Sequence, residues 1–91
     1  MGQIIYKYQI TQRHQELEMP IGSEIIAFKN QNNIPTIWAL VNNDSDYEKR
    51  NFTLYNTGEE LLDIKNGFVG TYWGTFINNK KDLVKHLFET F

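Results

Sequence analysis

The chain has 91 residues, of which 41% are hydrophobic and 14% aromatic, a formal net charge of −2 and no cysteine. This length and composition can supply one modest core, so we exclude a wholly disordered protein and expect a single domain over residues 1–91. The missing cysteines exclude disulfides and thiolate metal sites. The slightly acidic charge argues against binding to long DNA or RNA, but a small ligand with one or two phosphates needs only one or two cations.

No apolar run approaches the roughly 20 residues that span a bilayer. The first fifteen residues, MGQIIYKYQITQRHQ, also lack the long apolar region of a signal peptide. We therefore expect a cytoplasmic protein with no membrane partner.

The first half of the chain predicts β-strands. Apolar and polar residues alternate over residues 4–10, and again briefly over residues 16–20, where Pro20 ends the pattern. The segments SEIIAFKN and TIWALVN alternate on either side of QNNIPT, in which Asn tolerates positive φ and Pro35 suits a strand start. These two segments are predicted to form a hairpin.

The second half predicts two more strands and a helix. The polar stretch NNDSDYEK is a predicted loop, RNFTLYN and FVGTYWGTFIN are predicted strands, and residues 59–62 fit a short helical turn. The segment NNKKDLVKHLFETF is predicted to form a helix, which Asn78 or Asn79 can cap. Its apolar residues fall within one ~140° arc of a helical wheel: Leu83, Val84, Leu87, Phe88 and Phe91. The sequence thus predicts an α+β domain, a five- to six-stranded curved antiparallel sheet with a C-terminal helix packed on one face.

Residue types that serve in catalysis are scattered. His14 and His86 lie far apart in the chain without the neighbours of a metal motif, while Glu59 and Glu60 are adjacent rather than convergent. No glycine-rich phosphate loop and no GxSxG motif is present. The sequence therefore predicts a protein that is not an enzyme, without catalytic residues, metal or cofactor.

Aromatic and cationic residues are interleaved along the predicted strands. Any single aromatic most often fills a sheet. However, Trp38, Tyr55 and Trp73 are each predicted on the strand face opposite the main aliphatic set, and an uncovered aromatic face must be buried against a second subunit or a ligand. Arg50 begins a strand after a polar loop, where a guanidinium can reach a phosphate. The candidate ligand-binding residues are Tyr8, Trp38, Arg50, Tyr55, Thr57, Gly58 and Trp73.

Five blocks, in order over nearly the whole chain, resemble a family of small phage-encoded domains of unknown function: YKYQI, MPIGSEIIAFKNQNNIPTIWALVNND, RNFTLYNTG, YWGTFI and HLFETF. Members of that family run Lys-Tyr-x-Ile, Met-Pro-x-Gly-Ala, Leu-Trp-Ala-Leu-Val-Asp, Arg-x-Phe-x-x-Tyr-x-Thr-Gly-His and His-Val-Phe-Glu. The family usually has His after Thr-Gly, whereas this chain has Glu59.

The chain also resembles the phage anti-CBASS sponges, small homodimers that bind cyclic dinucleotides such as 3',3'-cyclic GMP-AMP. This resemblance implies a dimer that sequesters such a ligand without cleaving it, in the cytoplasm of an infected bacterium. A two-fold dimer presents every residue twice, which suits a ligand with two phosphates and two bases. In this interpretation Trp38, Tyr55 and Trp73 stack on the bases, Arg50 binds a phosphate, and Thr57 with Gly58 makes a polar contact. An alternative remains open, in which the aromatic face docks on and inhibits a host protein.

Overall fold

A computed structural model describes residues 2–61 and 70–90. Within these residues, seven β-strands form two antiparallel sheets and no helix is present. The three-stranded sheet has the order β1-β4-β3 and the four-stranded sheet the order β2-β5-β7-β6. The strands are β1 (Gln3–Gln9), β2 (His14–Pro20), β3 (Glu24–Gln31), β4 (Ile34–Asn42), β5 (Tyr47–Asn56), β6 (Thr71–Asn78) and β7 (Leu83–Thr90).

The strands predicted in the first half of the chain are confirmed. The β3–β4 hairpin turns at Asn32 and Asn33, whose φ angles of 52° and 67° are those that a two-residue hairpin turn of type I′ requires. The predicted loop before β5 is shorter than expected, because β5 already begins at Tyr47. Residues 59–61 are not helical, and the remainder of that predicted turn lies outside the described residues, as do residues 68 and 69 of the last predicted strand.

The predicted C-terminal helix is wrong, and with it the α+β class and the single sheet of five or six strands: the segment forms β7, and the described structure is all-β with seven strands in two sheets. β7 lies in the interior of its sheet, hydrogen-bonded to β5 on one side and to β6 on the other. It carries apolar side chains on both faces, since Leu87 is buried in the core while the Phe88 ring packs against Tyr55 and Tyr72. Adjacent apolar residues of this kind imitate the periodicity of a helix, and only the pairing partners decide between the two structures.

The core lies between the two sheets. The three-stranded sheet contributes Ile37, Ala39 and Val41 from β4, and the four-stranded sheet contributes Phe52 and Leu87 among others. Alternation along β4 turns Trp38 to the outer face, as predicted. The core is therefore built from the alternating residues that the sequence marks as apolar.

The two sheets approach each other most closely where β3 meets β6. Asn30 Nδ2 donates a hydrogen bond of 3.2 Å to the Ile77 carbonyl. A Cβ on Gly74 would lie 3.3 Å from the Phe28 side chain, and the φ of Gly74 is 154°. Gly74 thus leaves room for the close approach of the Phe28 side chain.

A β-bulge in β6 changes the face on which Trp73 lies. The pairing with β7 shifts between Tyr72, which is opposite Phe88, and Gly74, which is opposite Leu87. As a result Trp73 packs against the core cluster, rather than sharing an outer face with Thr75 as strict alternation predicts.

Candidate functional site

The seven predicted ligand-binding residues lie in three separate places. Tyr8, Arg50 and Trp73 lie on the inner side of the sheets, toward the β2–β3 turn. Tyr55, Thr57 and Gly58 lie at the end of β5, and Trp38 lies on the outer face of the three-stranded sheet. The structure therefore does not gather them into one site.

Arg50 is held by groups of the protein itself. Its Nε and Nη2 atoms donate two hydrogen bonds, each of 2.7 Å, to the two carboxylate oxygens of Glu89, and its Nη1 donates one of 2.6 Å to the Ser23 carbonyl. Trp73 Nε1 donates to the same carboxylate at 3.1 Å. Arg50 and Trp73 thus meet through Glu89, which sequence analysis missed because the segment was interpreted as a helix.

The charges of Arg50 and Glu89 stabilise each other. The hydrogen bond with Glu89 raises the pKa of Arg50, more than burial lowers it. Burial alone would raise the pKa of Glu89, but the hydrogen bonds from Arg50 and Trp73 outweigh it and hold that pKa below its ordinary value. Nearby, burial raises the pKa of Tyr8, whose hydroxyl has no hydrogen-bond partner within the described residues. The hydrogen bonds of Arg50 with Glu89 and Ser23, and of Trp73 with Glu89, join β5, β6 and β7 to the β2–β3 turn.

The outer face of the four-stranded sheet carries a chain of polar contacts. His86 is hydrogen-bonded through Nε2 to the Thr57 hydroxyl at 2.7 Å and through Nδ1 to the Thr75 hydroxyl at 3.0 Å. Tyr55 is 2% exposed and packs edge-on against Phe88 at 5.7 Å. Stacking of a base on Tyr55 would require its covering groups to move.

Glu59 contacts Arg13. The two side chains form an ion pair, and the hydrogen bond from Arg13 lowers the pKa of Glu59. The Arg13 guanidinium also lies 5.6 Å from the centre of the Tyr55 ring. The turn around Gly58, whose φ is 83°, allows this contact by bringing Glu59 back toward β5.

A cleft of about 300 Å³ lies next to Arg13, toward the opposite ends of the strands from Arg50. We call it the basic cleft, because Arg13, Lys81 and Lys85 line it and none of its described lining residues is a carboxylate. Its further lining residues are apolar or uncharged: Ile10, Thr11, Gln12, Asn33, Pro35, Leu54, Phe76, Asn78 and Leu83. Cations around an apolar floor suit a small anion that carries an apolar or aromatic part.

Sequence analysis missed the basic cleft because its cations come from distant parts of the chain. Arg13 precedes β2, Lys81 lies in the β6–β7 turn and Lys85 lies on β7. They meet only because β5 pairs with both β2 and β7. Lys81 and Lys85 both lie in the segment for which the sequence predicts a helix, and that prediction gives no reason to group them with Arg13.

A second cleft, of about 270 Å³, lies on the four-stranded sheet and is less suited to an anion. Its lining includes the Glu16 carboxylate. His14 Nδ1 is hydrogen-bonded there to the Thr53 hydroxyl at 3.0 Å.

Across residues 2–61 and 70–90, no three His, Asp or Glu side chains are grouped in a way that could hold a metal ion. Nor does that part of the chain contain a helix long and apolar enough to cross a membrane.

Fold and site together define a small all-β domain of two facing sheets, with a cation-lined cleft at one end. A family model with the description "Domain of unknown function (DUF7352)" matches residues 1–91, and the chain belongs to this family. No curated protein and no solved structure matches it significantly. The predicted resemblance to a family of unknown function is thereby confirmed.

Proposed function

We propose that the protein binds and sequesters a cyclic dinucleotide such as 3',3'-cyclic GMP-AMP in the basic cleft, without cleaving it. It acts as a phage anti-defence protein in the cytoplasm of an infected bacterium. The resemblance to anti-CBASS sponges supports the ligand class and the setting. The observation that carries the site is the grouping of Arg13, Lys81 and Lys85 around an apolar floor, with no carboxylate among the lining residues that the structure describes.

The chemistry of the cleft fits one nucleotide unit of such a ligand. A volume of about 300 Å³ is at the lower end of ligand pockets, so one base and its phosphate occupy the cleft and the second nucleotide lies at its open side. Each charge-assisted hydrogen bond contributes about 1.5–3 kcal/mol. Nanomolar affinity corresponds to roughly −12 kcal/mol, so the cations must act together with contacts between the base and the apolar floor.

Calorimetric titration with a panel of cyclic di- and trinucleotides and their linear counterparts tests this function. We expect tight binding of at least one cyclic dinucleotide, and chromatography of the ligand after heat denaturation should recover it intact. Lys81→Glu and Lys85→Glu should each weaken binding at least tenfold. Lys49→Glu is the matched control, because Lys49 is an exposed lysine outside the basic cleft. Equal affinities of all these variants would place the ligand elsewhere.

One observation favours a second function, inhibition of a host protein. On the outer face of the three-stranded sheet, half-buried Trp38 lies between strands that carry Ile5, 59% exposed, and Ile26, 50% exposed. Such a patch suits protein contact. If no cyclic nucleotide binds at tens of micromolar while a host protein co-purifies with the parent and not with Trp38→Ala, this function replaces the first.

A further inference from the structure

β1 is an edge strand whose second side faces no other described strand. All seven of its residues pair with β4 in an unbroken register, from Gln3 opposite Asn42 to Gln9 opposite Thr36. In an antiparallel pair, alternate residues direct both the N–H and the C=O away from the partner strand. β1 therefore offers a row of backbone donors and acceptors along its whole length.

The other edge strands carry features that discourage further pairing, and β1 has fewer of them. β2 ends at Pro20 and presents Glu16 and Glu18. β3 and β6 each contain a bulge, and they lie against each other where the sheets meet. Bulges, proline and charge are the devices by which proteins protect sheet edges. β1 has no bulge and no proline, and its only charge is that of Lys7.

Apolar side chains project from both faces of this edge. Ile4 is 38% exposed on the inner face and Ile5 is 59% exposed on the outer face, while Tyr6 and Tyr8 are half-buried with their rings 6.4 Å apart. The molecule is flat, 43 × 35 × 17 Å. A partner along β1 would cover these groups on both faces at once.

We propose that β1 pairs antiparallel with β1 of a second copy, across a two-fold axis through Tyr6, so that two three-stranded sheets become one six-stranded sheet. Centring on Tyr6 pairs all seven residues of each strand. It places Ile5 opposite Lys7 of the partner subunit and Ile4 opposite Tyr8 of the partner subunit. The two lysines thus lie opposite apolar residues, whereas a two-fold axis through Lys7 would oppose like charges, which is destabilising.

This interface refines the proposed function, on which the following step rests. The basic cleft includes Ile10, four residues from the axis, so the two clefts of the dimer lie roughly 27 Å apart at a rise of about 3.4 Å per residue. One cyclic dinucleotide cannot bridge them. Each protomer therefore binds its own ligand, in place of the single shared ligand that the two-fold symmetry of the compound suggests.

The size of the contact sets its strength. A seven-residue strand is about 23 Å long, and the molecule is 17 Å thick. The surface along β1 contributes roughly 400 Å² per protomer to the interface, below the roughly 800 Å² that each partner contributes to a standard interface. We therefore expect a dimer that dissociates in the micromolar range.

Sedimentation velocity over a concentration series tests the interface and its register. Ile5→Lys faces Lys7 of the partner subunit twice and should weaken dimerisation at least tenfold, while Ile5→Glu should retain it. The double variant Ile5→Lys/Lys7→Glu should recover dimerisation, because opposite charges then face each other. Ile26→Lys, at a similarly exposed position on β3 of the same sheet, is the control and should dimerise as the parent does.

Each alternative gives a different result. A parent chain that stays monomeric at every concentration up to several hundred micromolar overturns the proposal. Equal loss of dimer in Ile26→Lys and Ile5→Lys also overturns it, because it would mean that the sheets dock face to face. Hydrogen exchange provides a check that needs no variant: the alternate amides of β1 that point away from β4 should become protected as the dimer forms. A ligand-binding protein without this dimer would contradict the interface alone, whereas a dimer without ligand binding would contradict the proposed function alone.

Discussion

Arg50 and Glu89 join neighbouring strands of the four-stranded sheet through two parallel hydrogen bonds of 2.7 Å, and Trp73 donates to the same carboxylate. A guanidinium bound in this way already has the planar anionic partner that it would otherwise find in a phosphate. Both side chains are mostly shielded from water, so the pair contributes more than an ion pair on the surface does. The contact therefore assigns Arg50 first to the stability of the fold.

Arg50→Ala should consequently destabilise the protein by about 2–4 kcal/mol, because it leaves the Glu89 carboxylate without its cation. For a domain of this size the melting temperature should fall by roughly 10 °C or more. Thermal unfolding followed by circular dichroism measures this, with Lys49→Ala as the control for loss of an exposed cation. An unchanged melting temperature together with lost ligand affinity would return Arg50 to the role of phosphate partner.

The stability of the protein should fall in acid through Glu89. The pKa of Glu89 is lowered in the folded state from 4.5, so the unfolded state binds the proton more readily. Its stabilising contribution is therefore present above about pH 4.5 and is lost as the pH falls through the folded pKa. The difference in unfolding free energy between the parent and Glu89→Gln should shrink between pH 7 and pH 3 in urea titrations. Glu18→Gln, at an exposed position, is the control for the loss of a carboxylate.

The sequence predicts the individual strands of this fold better than their assembly. Alternation between turns marked by Asn, Pro or Gly predicts β1 to β5, although β5 begins three residues before the predicted strand. β7 has two apolar faces, and neither periodicity nor propensity separates such a strand from a helix. Local alternation also cannot show a bulge, which is why Trp73 lies on the opposite face from the predicted one.

The candidate site was less accessible to sequence analysis than the fold. Arg13, Lys81 and Lys85 are unremarkable as single surface cations, and only the pairing of distant strands brings them around one cleft. Trp38 could be placed on an outer face because β4 is regular. Tyr55 lies on a regular strand too, but Phe88 and Arg13 cover it, and no local pattern reports such covering groups.

Gly74→Ala should destabilise the protein by about 1–3 kcal/mol. The added methyl group would lie 3.3 Å from the Phe28 side chain at the contact between β3 and β6, and the φ of 154° is unfavourable for alanine. Gly2→Ala is the control, since no atom lies within 4 Å of a Cβ at Gly2. Urea unfolding of both variants measures the difference. A stability equal to that of the parent would mean that β3 and β6 do not pack as closely as described.

Glu59→Gln should strengthen binding of a cyclic dinucleotide to the basic cleft. Glu59 pairs with Arg13, which lines that cleft, so the carboxylate competes with a phosphate for the same guanidinium. Removing its negative charge frees hydrogen-bonding capacity on Arg13 and raises the local positive potential, and we expect roughly a threefold to tenfold gain in affinity. The gain should be largest at low salt, because the groups are exposed and screening weakens their interaction. Glu59→His, which also removes the carboxylate, should behave in the same direction, whereas Glu60→Gln serves as the neighbouring control. Calorimetric titrations at two salt concentrations measure all three variants, and a loss of affinity in Glu59→Gln would show instead that Glu59 holds Arg13 in its binding position.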